Sequence, residues 1–217
     1  MHYDEPILAQ ARDLGVSAAL ATAPEQTSAQ ALLTAAERRR QAGFGDADRR
    51  VHFALGRLAL RRAAAERSGA APADVSVSVG AGGAPEADGL HASISHGGAG
   101  AAAVGLAAVA PRPVGVDVEP IRARRADLWR RILHPDERAT LDGLGGPSDR
   151  VHTLLWSIKE AVLKGQRTGL RVGARSVRIA PFAADGGAAS AWSERSGAWT
   201  VRFVCRGDLW LVLAAAA

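Results

Sequence analysis

Apolar residues along this chain switch between two periods. In Asp48–Arg67, Leu55, Leu58 and Leu60 sit among arginines in a helical pattern, and Glu37–Arg40 reads the same way. Arg150–Gln166 predicts a second long helix, and Arg125–Leu133 a short one. Pro135 suits the first turn of another helix. Elsewhere the period is two. Val75, Val77 and Val79 alternate with serines, and Val114–Val118 alternates again, so both predict short, half-buried strands. Ala92–Ser95 and Ala101–Val109 predict a hairpin of small residues, and Val177–Ile179, Trp199–Cys205 and Leu209–Leu213 predict late strands. Ser68–Ala73, the Gly/Ala/Pro-rich Gly80–Gly89, Pro111–Pro113 and Gly143–Pro147 break the pattern as loops.

The pattern repeats. Arg50, Val51, His52 and Leu55 recur 100 positions later as Arg150, Val151, His152 and Leu155. Gly45, Arg67, Gly69, Ser76 and Val77 recur as Gly145, Arg167, Gly169, Ser176 and Val177. That makes about 9 identities in about 33 positions, where chance gives about 2 or 3. Two similar halves are expected, each a long helix followed by strands, meeting near Pro111–Pro113. A cleft between such halves is a natural ligand site.

Composition narrows the class. The 217 residues suffice for one large domain or two modest ones. Mean hydropathy is −0.01 and no long apolar run exists, so no membrane span is expected. Residues 1–10 carry Asp4 and Glu5 without an apolar stretch, so no secretory signal is expected. A single cysteine, Cys205, excludes an internal disulfide and a cysteine-based zinc site, and the expected compartment is the cytoplasm. The net charge of +5 admits a solvated arginine-rich surface, an anionic ligand, an acidic protein partner or nucleic acid. No zinc-finger, basic-zipper or RNA-binding pattern favours the last.

Four segments carry candidate chemistry, each with a plainer alternative. In Val114-Gly115-Val116-Asp117-Val118-Glu119-Pro120 the two acids project side by side from one strand face. Such carboxylates repel unless a proton or cation lies between them, and their hard oxygens suit Mg²⁺; a polar strand edge is the alternative. In Trp156-Ser157-Ile158-Lys159-Glu160-Ala161-Val162-Leu163-Lys164, Trp156, Glu160 and Lys164 share a helix face. A surface ion pair is the alternative there, although the large ring of Trp156 argues for cover. Ser93-Ile94-Ser95-His96-Gly97-Gly98 ends a strand with a His and two glycines that let a phosphate approach, or is a turn with an incidental His. Gly82-Gly83-Ala84-Pro85 is a loop that matters only in company.

In this order and spacing the segments resemble the Sfp-type (group II) 4′-phosphopantetheinyl transferases. That family reads as a basic helix, a G-x-P loop, a strand ending in Ser-His, a G-[VI]-D-[VI]-E strand and a W-x-x-K-E-A-x-x-K helix. The matching stretches are Arg38–Arg62, Gly83–Pro85, Ser95-His96, Gly115–Glu119 and Trp156–Lys164, over roughly residues 37 to 179. The resemblance implies an α+β fold, a pseudo-dimer of two similar subdomains, each a long helix packed on a small antiparallel sheet. Residues 1–112 would form the nucleotide side and 113–217 the metal side.

It further implies transfer of the 4′-phosphopantetheine of coenzyme A to a serine of an acyl- or peptidyl-carrier protein by a monomer needing Mg²⁺. Adenosine 3′,5′-bisphosphate would be released, and neither membrane nor nucleic acid would be a partner. Asp117, Glu119 and Glu160 resemble the metal carboxylates, with Asp117 and Glu160 also in the catalytic set. Lys164 resembles the lysine that contacts the phosphate and protonates the leaving group, and Glu160 the group that deprotonates the carrier serine. Ser95 and His96 resemble the phosphate contacts, Arg40 a basic residue for the 3′-phosphate, and Gly83, Pro85 and Phe53 the adenine surroundings. Ala84, His52, Ser93 and Gly97 depart from the commoner Lys, Arg, Asn and Ser. Two other functions fit parts of the pattern: a metal-dependent nuclease, and a basic anion- or nucleic-acid-binding module. The first sets its lysine beside the strand acids rather than on the Glu160 helix, and the second leaves three carboxylates unexplained. His134, Cys205, Trp192, Trp199 and Ala214–Ala217 are expected to cap, pack or end elements.

Overall fold

A computed structural model describes residues 6–80, 83–168 and 173–217 of the chain. Asp4 and Glu5 near the start, Gly82 of the glycine loop and Gly169 of the repeat lie outside the described residues.

The first half runs through helix α1 (Pro6–Asp13), strand β1 (Ser17–Thr22), helices α2 (Gln26–Ala31), α3 (Ala35–Ala42) and α4 (Ala47–Ser68), and strands β2 (Val77–Val79), β3 (Pro85–Ala87), β4 (Leu90–Gly97) and β5 (Val104–Ala110). The second contains β6 (Val114–Pro120), α5 (Ala126–Ile132), α6 (Arg138–Gly143), α7 (Asp149–Gly165), β7 (Val177–Ile179), β8 (Ala188–Ser193), β9 (Gly197–Arg206) and β10 (Leu209–Ala216). Both sheets are antiparallel and five-stranded. Their orders are β1-β5-β4-β3-β2 and β6-β10-β9-β8-β7. Adding five to each strand of the first gives the second, so the fold is an α+β pseudo-dimer.

The repeat reaches upstream of the stretch that periodicity singled out. Leu33, Glu37 and Arg38 recur as Leu133, Glu137 and Arg138. Both glutamates close a capping box. Glu37 accepts from Thr34 N at 2.9 Å, and Glu137 accepts from His134 N at 2.7 Å. Both then reach the long helix of their own half, Glu37 at Arg61 and Glu137 at Lys159.

The long helices start at side-chain caps. Asp46 accepts from Asp48 N at 2.7 Å and Arg49 N at 3.3 Å ahead of α4, and Ser148 accepts from Val151 N at 3.2 Å ahead of α7. Gly69 ends α4 at φ +74°, where a side chain would be strained. Glu37–Arg40 and Asp48–Arg67 fall on separate helices as periodicity expects, so the stretch Arg38–Arg62 that resembles a single basic helix of the family is divided by a turn at Gly43–Asp46. Ala101 and Ala102 belong to a short 3-10 turn rather than to β5. Trp199 is buried, whereas Trp192 stays exposed beneath Arg178.

The layers follow from strand alternation. Ala107 and Val109 of β5 face α4, while Val104, Leu106, Ala108 and Ala110 face the second sheet. There they meet Val114, Val116 and Val118 of β6 and Leu209, Leu211 and Leu213 of β10. The opposite face of β10, Trp210, Val212 and Ala214, packs under α7. The order is therefore α4, first sheet, second sheet, α7.

Among the described residues, one edge of β6 has no strand partner. Ser93 Oγ accepts from Val116 N at 3.0 Å, and Ser95 Oγ accepts from Val118 N at 3.1 Å. These hydroxyls from β4 satisfy amides that would otherwise be buried unpaired, and they join the halves.

Candidate active site at the seam of the two halves

Three segments meet where β4, β6 and α7 converge. β6 alternates as expected: its valines enter the inter-sheet core, and Gly115, Asp117 and Glu119 turn toward α7. Gly115 is required there. A Cβ on it would lie 1.8 Å from Ala161 O and 2.6 Å from Gly165 N, so only glycine lets α7 lie this close to β6.

Asp117 is 3% exposed and fully engaged. Lys164 Nζ donates to its Oδ1 at 2.6 Å, Ser95 Oγ to Oδ1 at 3.2 Å and Ser157 Oγ to Oδ2 at 2.7 Å. Lys164 Nζ also donates to Ser95 Oγ at 2.8 Å. Ser95, Asp117 and Lys164 thus form one hydrogen-bonded group drawn from β4, β6 and α7. Trp156 is half-buried against the core of the second half, giving its ring the cover that the sequence demanded.

Glu119 and Glu160 flank this group. Burial and then the neighbouring Asp117 charge push both carboxyls up, Glu160 to about 7, with Glu119 adding to the rise at Glu160. The three acids therefore share one electrostatic site. Arg124 ion-pairs with Glu119 and partly offsets its rise. Glu160 Oε1 is buried without a hydrogen-bond partner. Among the described residues no three acid, His or Cys groups converge as a preformed metal cage. The donor set nonetheless fits a hard divalent cation, with carboxylate oxygens, mutual repulsion and an orphaned buried oxygen at Glu160.

The other expected residues lie on the first half. His96 stacks on His52 with ring centres 4.8 Å apart, and His52 Nε2 is 2.8 Å from Gly98 O. Burial, followed by the His52 and Lys164 charges, holds His96 down to about 4. Arg40 and Arg57 lie over the Phe53 ring at 5.9 and 5.2 Å, and Phe44 meets Phe53 edge-on at 5.5 Å. Gly83 adopts φ +84° in a tight turn before Pro85, where Gly80 N donates to Ala84 O at 2.8 Å. Beside it, Arg167 Nη1 donates to Glu86 Oε1 at 2.6 Å, clasping the end of α7 to β3.

Sequence reasoning gave no role to Ser157, Ser93, Arg124 or Lys159. For Ser157 the signal was present: positions 157, 160 and 164 share a helix face, and the middle and last were already chosen. Nothing local announces the partners of Ser93 and Arg124.

Residues 113–212 match the family profile of the 4′-phosphopantetheinyl transferase superfamily. A 4′-phosphopantetheinyl transferase of Bacillus subtilis is 30% identical over 131 residues, covering 58% of this chain and 57% of the relative. The chain thus spans little more than half the length of that relative in the match. The matched region contains Asp117, Glu119, Glu160 and Lys164, so the acids and the lysine of the seam lie in the part of the chain that is similar to the 4′-phosphopantetheinyl transferase superfamily.

Proposed function

We propose that this chain transfers the 4′-phosphopantetheine of coenzyme A to a serine hydroxyl of an acyl- or peptidyl-carrier protein and releases adenosine 3′,5′-bisphosphate. The observation that carries the reading is the buried Asp117, held by Lys164 and Ser157 of α7 and Ser95 of β4, with Glu119 on the same strand and Glu160 on the same helix. The two-halved fold supports the Sfp-type subclass. Residues 1–112 would serve the nucleotide and 113–217 the metal and the chemistry.

Asp117, Glu119 and Glu160 would hold Mg²⁺, which when bound supplies positive charge to the diphosphate oxygens. The remaining work falls to the chain itself. A serine hydroxyl attacks poorly until its proton leaves, and Glu160 at the seam would take it directly or through water. The serine oxygen–phosphorus bond forms as the bond to the nucleotide phosphate oxygen breaks. Lys164, anchored on Asp117 and Ser95, is placed to neutralise or protonate that departing oxygen. Arg40, Phe53, Gly83, Pro85, Ser95 and His96 would line the coenzyme A side. The net charge of +5 would steer an acidic carrier toward the chain. No described helix is long and apolar enough to cross a membrane; cytoplasmic residence and a monomeric state complete the proposal.

The test is incubation with coenzyme A, Mg²⁺ and a panel of apo-carriers, read by intact mass. The parent protein should add phosphopantetheine to at least one carrier. Asp117→Asn should lower the rate by about 10³-fold with the fold retained. An unchanged mass with every carrier, or full activity in Asp117→Asn, overturns the reading.

A further inference from the structure

Lys159 adjoins the candidate acid Glu160, yet it is wholly buried and touches none of the reacting groups. Its ammonium donates to Glu137 Oε1 at 2.8 Å, to Ala174 O at 3.3 Å and to Val177 O. Glu137 is 1% exposed and equally occupied. Its Oε1 also accepts from Ile179 N at 2.9 Å, and its Oε2 accepts from His134 N at 2.7 Å. One ion pair thereby ties α7 to the turn before α6, to the turn before β7 and to β7 itself.

At 3.6 residues per turn, positions 157, 160 and 164 lie within about 60° of one another around α7, and position 159 points roughly 130° away. The reacting face and the buried strut are thus on nearly opposite sides of the helix. The apolar packing of Leu154, Leu155, Ile158 and Val162 is non-directional and tolerates small rotations of the helix. The ammonium with three oxygen acceptors does not. A buried ion pair gives little net stability over apolar residues of like volume; its best-attested use is to fix one arrangement among several. In the first half the corresponding tie runs from the partly exposed Glu37 to Arg57 and Arg61 of α4, and position 59 itself is Ala; the fully buried lysine version belongs to the helix that carries the reacting groups.

We propose that Lys159 is a positioning residue. Through Glu137 it fixes the rotation of α7, so that Ser157, Glu160 and Lys164 face the seam. This rests on the transferase reading, and the experiment separates the two. Lys159→Met/Glu137→Met removes both charges at similar volume and should keep a thermal midpoint within a few degrees of the parent. Its kcat should nevertheless fall about 10- to 100-fold, with KM for coenzyme A little changed, and its affinity for Mn²⁺, titrated without carrier or coenzyme A, should fall by a similar factor. Parent-like kcat and Mn²⁺ affinity in the double variant would overturn the proposal. Glu137→Gln preserves size and one acceptor, and serves if the double variant does not fold. It should show the same two losses at smaller amplitude, and parent-like values there overturn the proposal equally. A parent that modifies no carrier refutes the transferase reading instead, while the Mn²⁺ titration still decides whether the strut orients the acids.

Discussion

The two halves share one topology and part company along their long helices. Val51 and Val151 are half-buried at matching places, and Leu55 and Leu155 are both fully buried. The turns of helix facing the seam differ. α4 has the buried Leu60 and Ala64 where α7 has Glu160 and Lys164. The first sheet opens with Ser-Ala-Ala-Leu-Ala-Thr on β1, and the second with Val-Gly-Val-Asp-Val-Glu-Pro on β6. The scaffold was thus kept in both halves, while acids and a lysine occupy core and strand positions in one of them. Charged groups at such positions are costly unless paired, and the structure pairs Asp117 with Lys164 and Glu119 with Arg124. The cores differ to match. The first is mostly alanine with a few leucines, and the second holds Trp129, Trp199, Phe203 and Trp210 around α7. Large rings brace the helix whose face must stay polar.

The strongest way to break this contrast is to return α7 to the pattern of α4. Lys164→Ala reproduces Ala64. It removes the cation that joins Asp117 to Ser95, and kcat for carrier modification should fall about 10²- to 10³-fold. Steady-state rates with coenzyme A and an apo-carrier check it. A loss under tenfold would mean that the seam lysine is an ordinary ion-pair partner.

A second contrast concerns how each helix lies on its sheet. Gly105 of β5 sits under α4, where a Cβ would come within 2.7 Å of Gly56 N and of Leu55 C. Gly115 of β6 sits under α7, where the clash with Ala161 O is far closer, at 1.8 Å. Gly115→Ala should therefore destabilise by about 3 kcal/mol or more, and Gly105→Ala by about 1–3 kcal/mol. Chemical denaturation measures both. Equal losses would show that the two helix–sheet contacts are equally tight. Gly115→Ala should also depress activity at temperatures where it is folded, because lifting α7 parts Ser157 and Lys164 from Asp117.

Much of this was legible in residue order. The period-two valines of β6 put Asp117 and Glu119 on the face away from the core, and the helical spacing of Glu160 and Lys164 gave α7 its polar face. Other parts were hidden for physical reasons. β1 is Ala-rich and β8 reads Ala-Ala-Ser-Ala-Trp-Ser, so neither contrasts apolar with polar strongly enough to announce a strand. Both are held by their neighbours, β1 by β5 and β8 by β9 and β7. The Glu37 and Glu137 struts escaped because a capping glutamate looks local, and its second partner lies more than 20 residues away. Ser93 and Ser95 read as alternating polar positions, and only a strand from the other half explains what their oxygens accept.

The gentlest test of the comparison uses the histidines. His52 and His152 occupy matching helix positions and both stack, His52 on His96 and His152 on Trp129 at 4.6 Å. The first partner can carry charge and the second cannot. Burial lowers both His96 and His152, but the His52 charge adds to the effect at His96, whereas Asp149 opposes it at His152. An NMR titration should place His96 near 4, and His52→Phe should raise it while keeping a stacked ring. Trp129→Phe should leave His152 without a comparable change, since no charge is removed. The sign for stability follows. An unfolded His binds a proton near 6.5, so the stability tied to neutral His96 is fully present above that pH and is lost as pH falls through 6.5 toward 4. Because the His96 side chain is exposed by surface area although many atoms crowd it, solvent screens the effect and the slope is shallow. Thermal melts of His96→Gln should be flatter than the parent over that window. A parent curve already flat there, with His96 titrating near 6.5, would place the ring in open solvent and remove this difference between the halves.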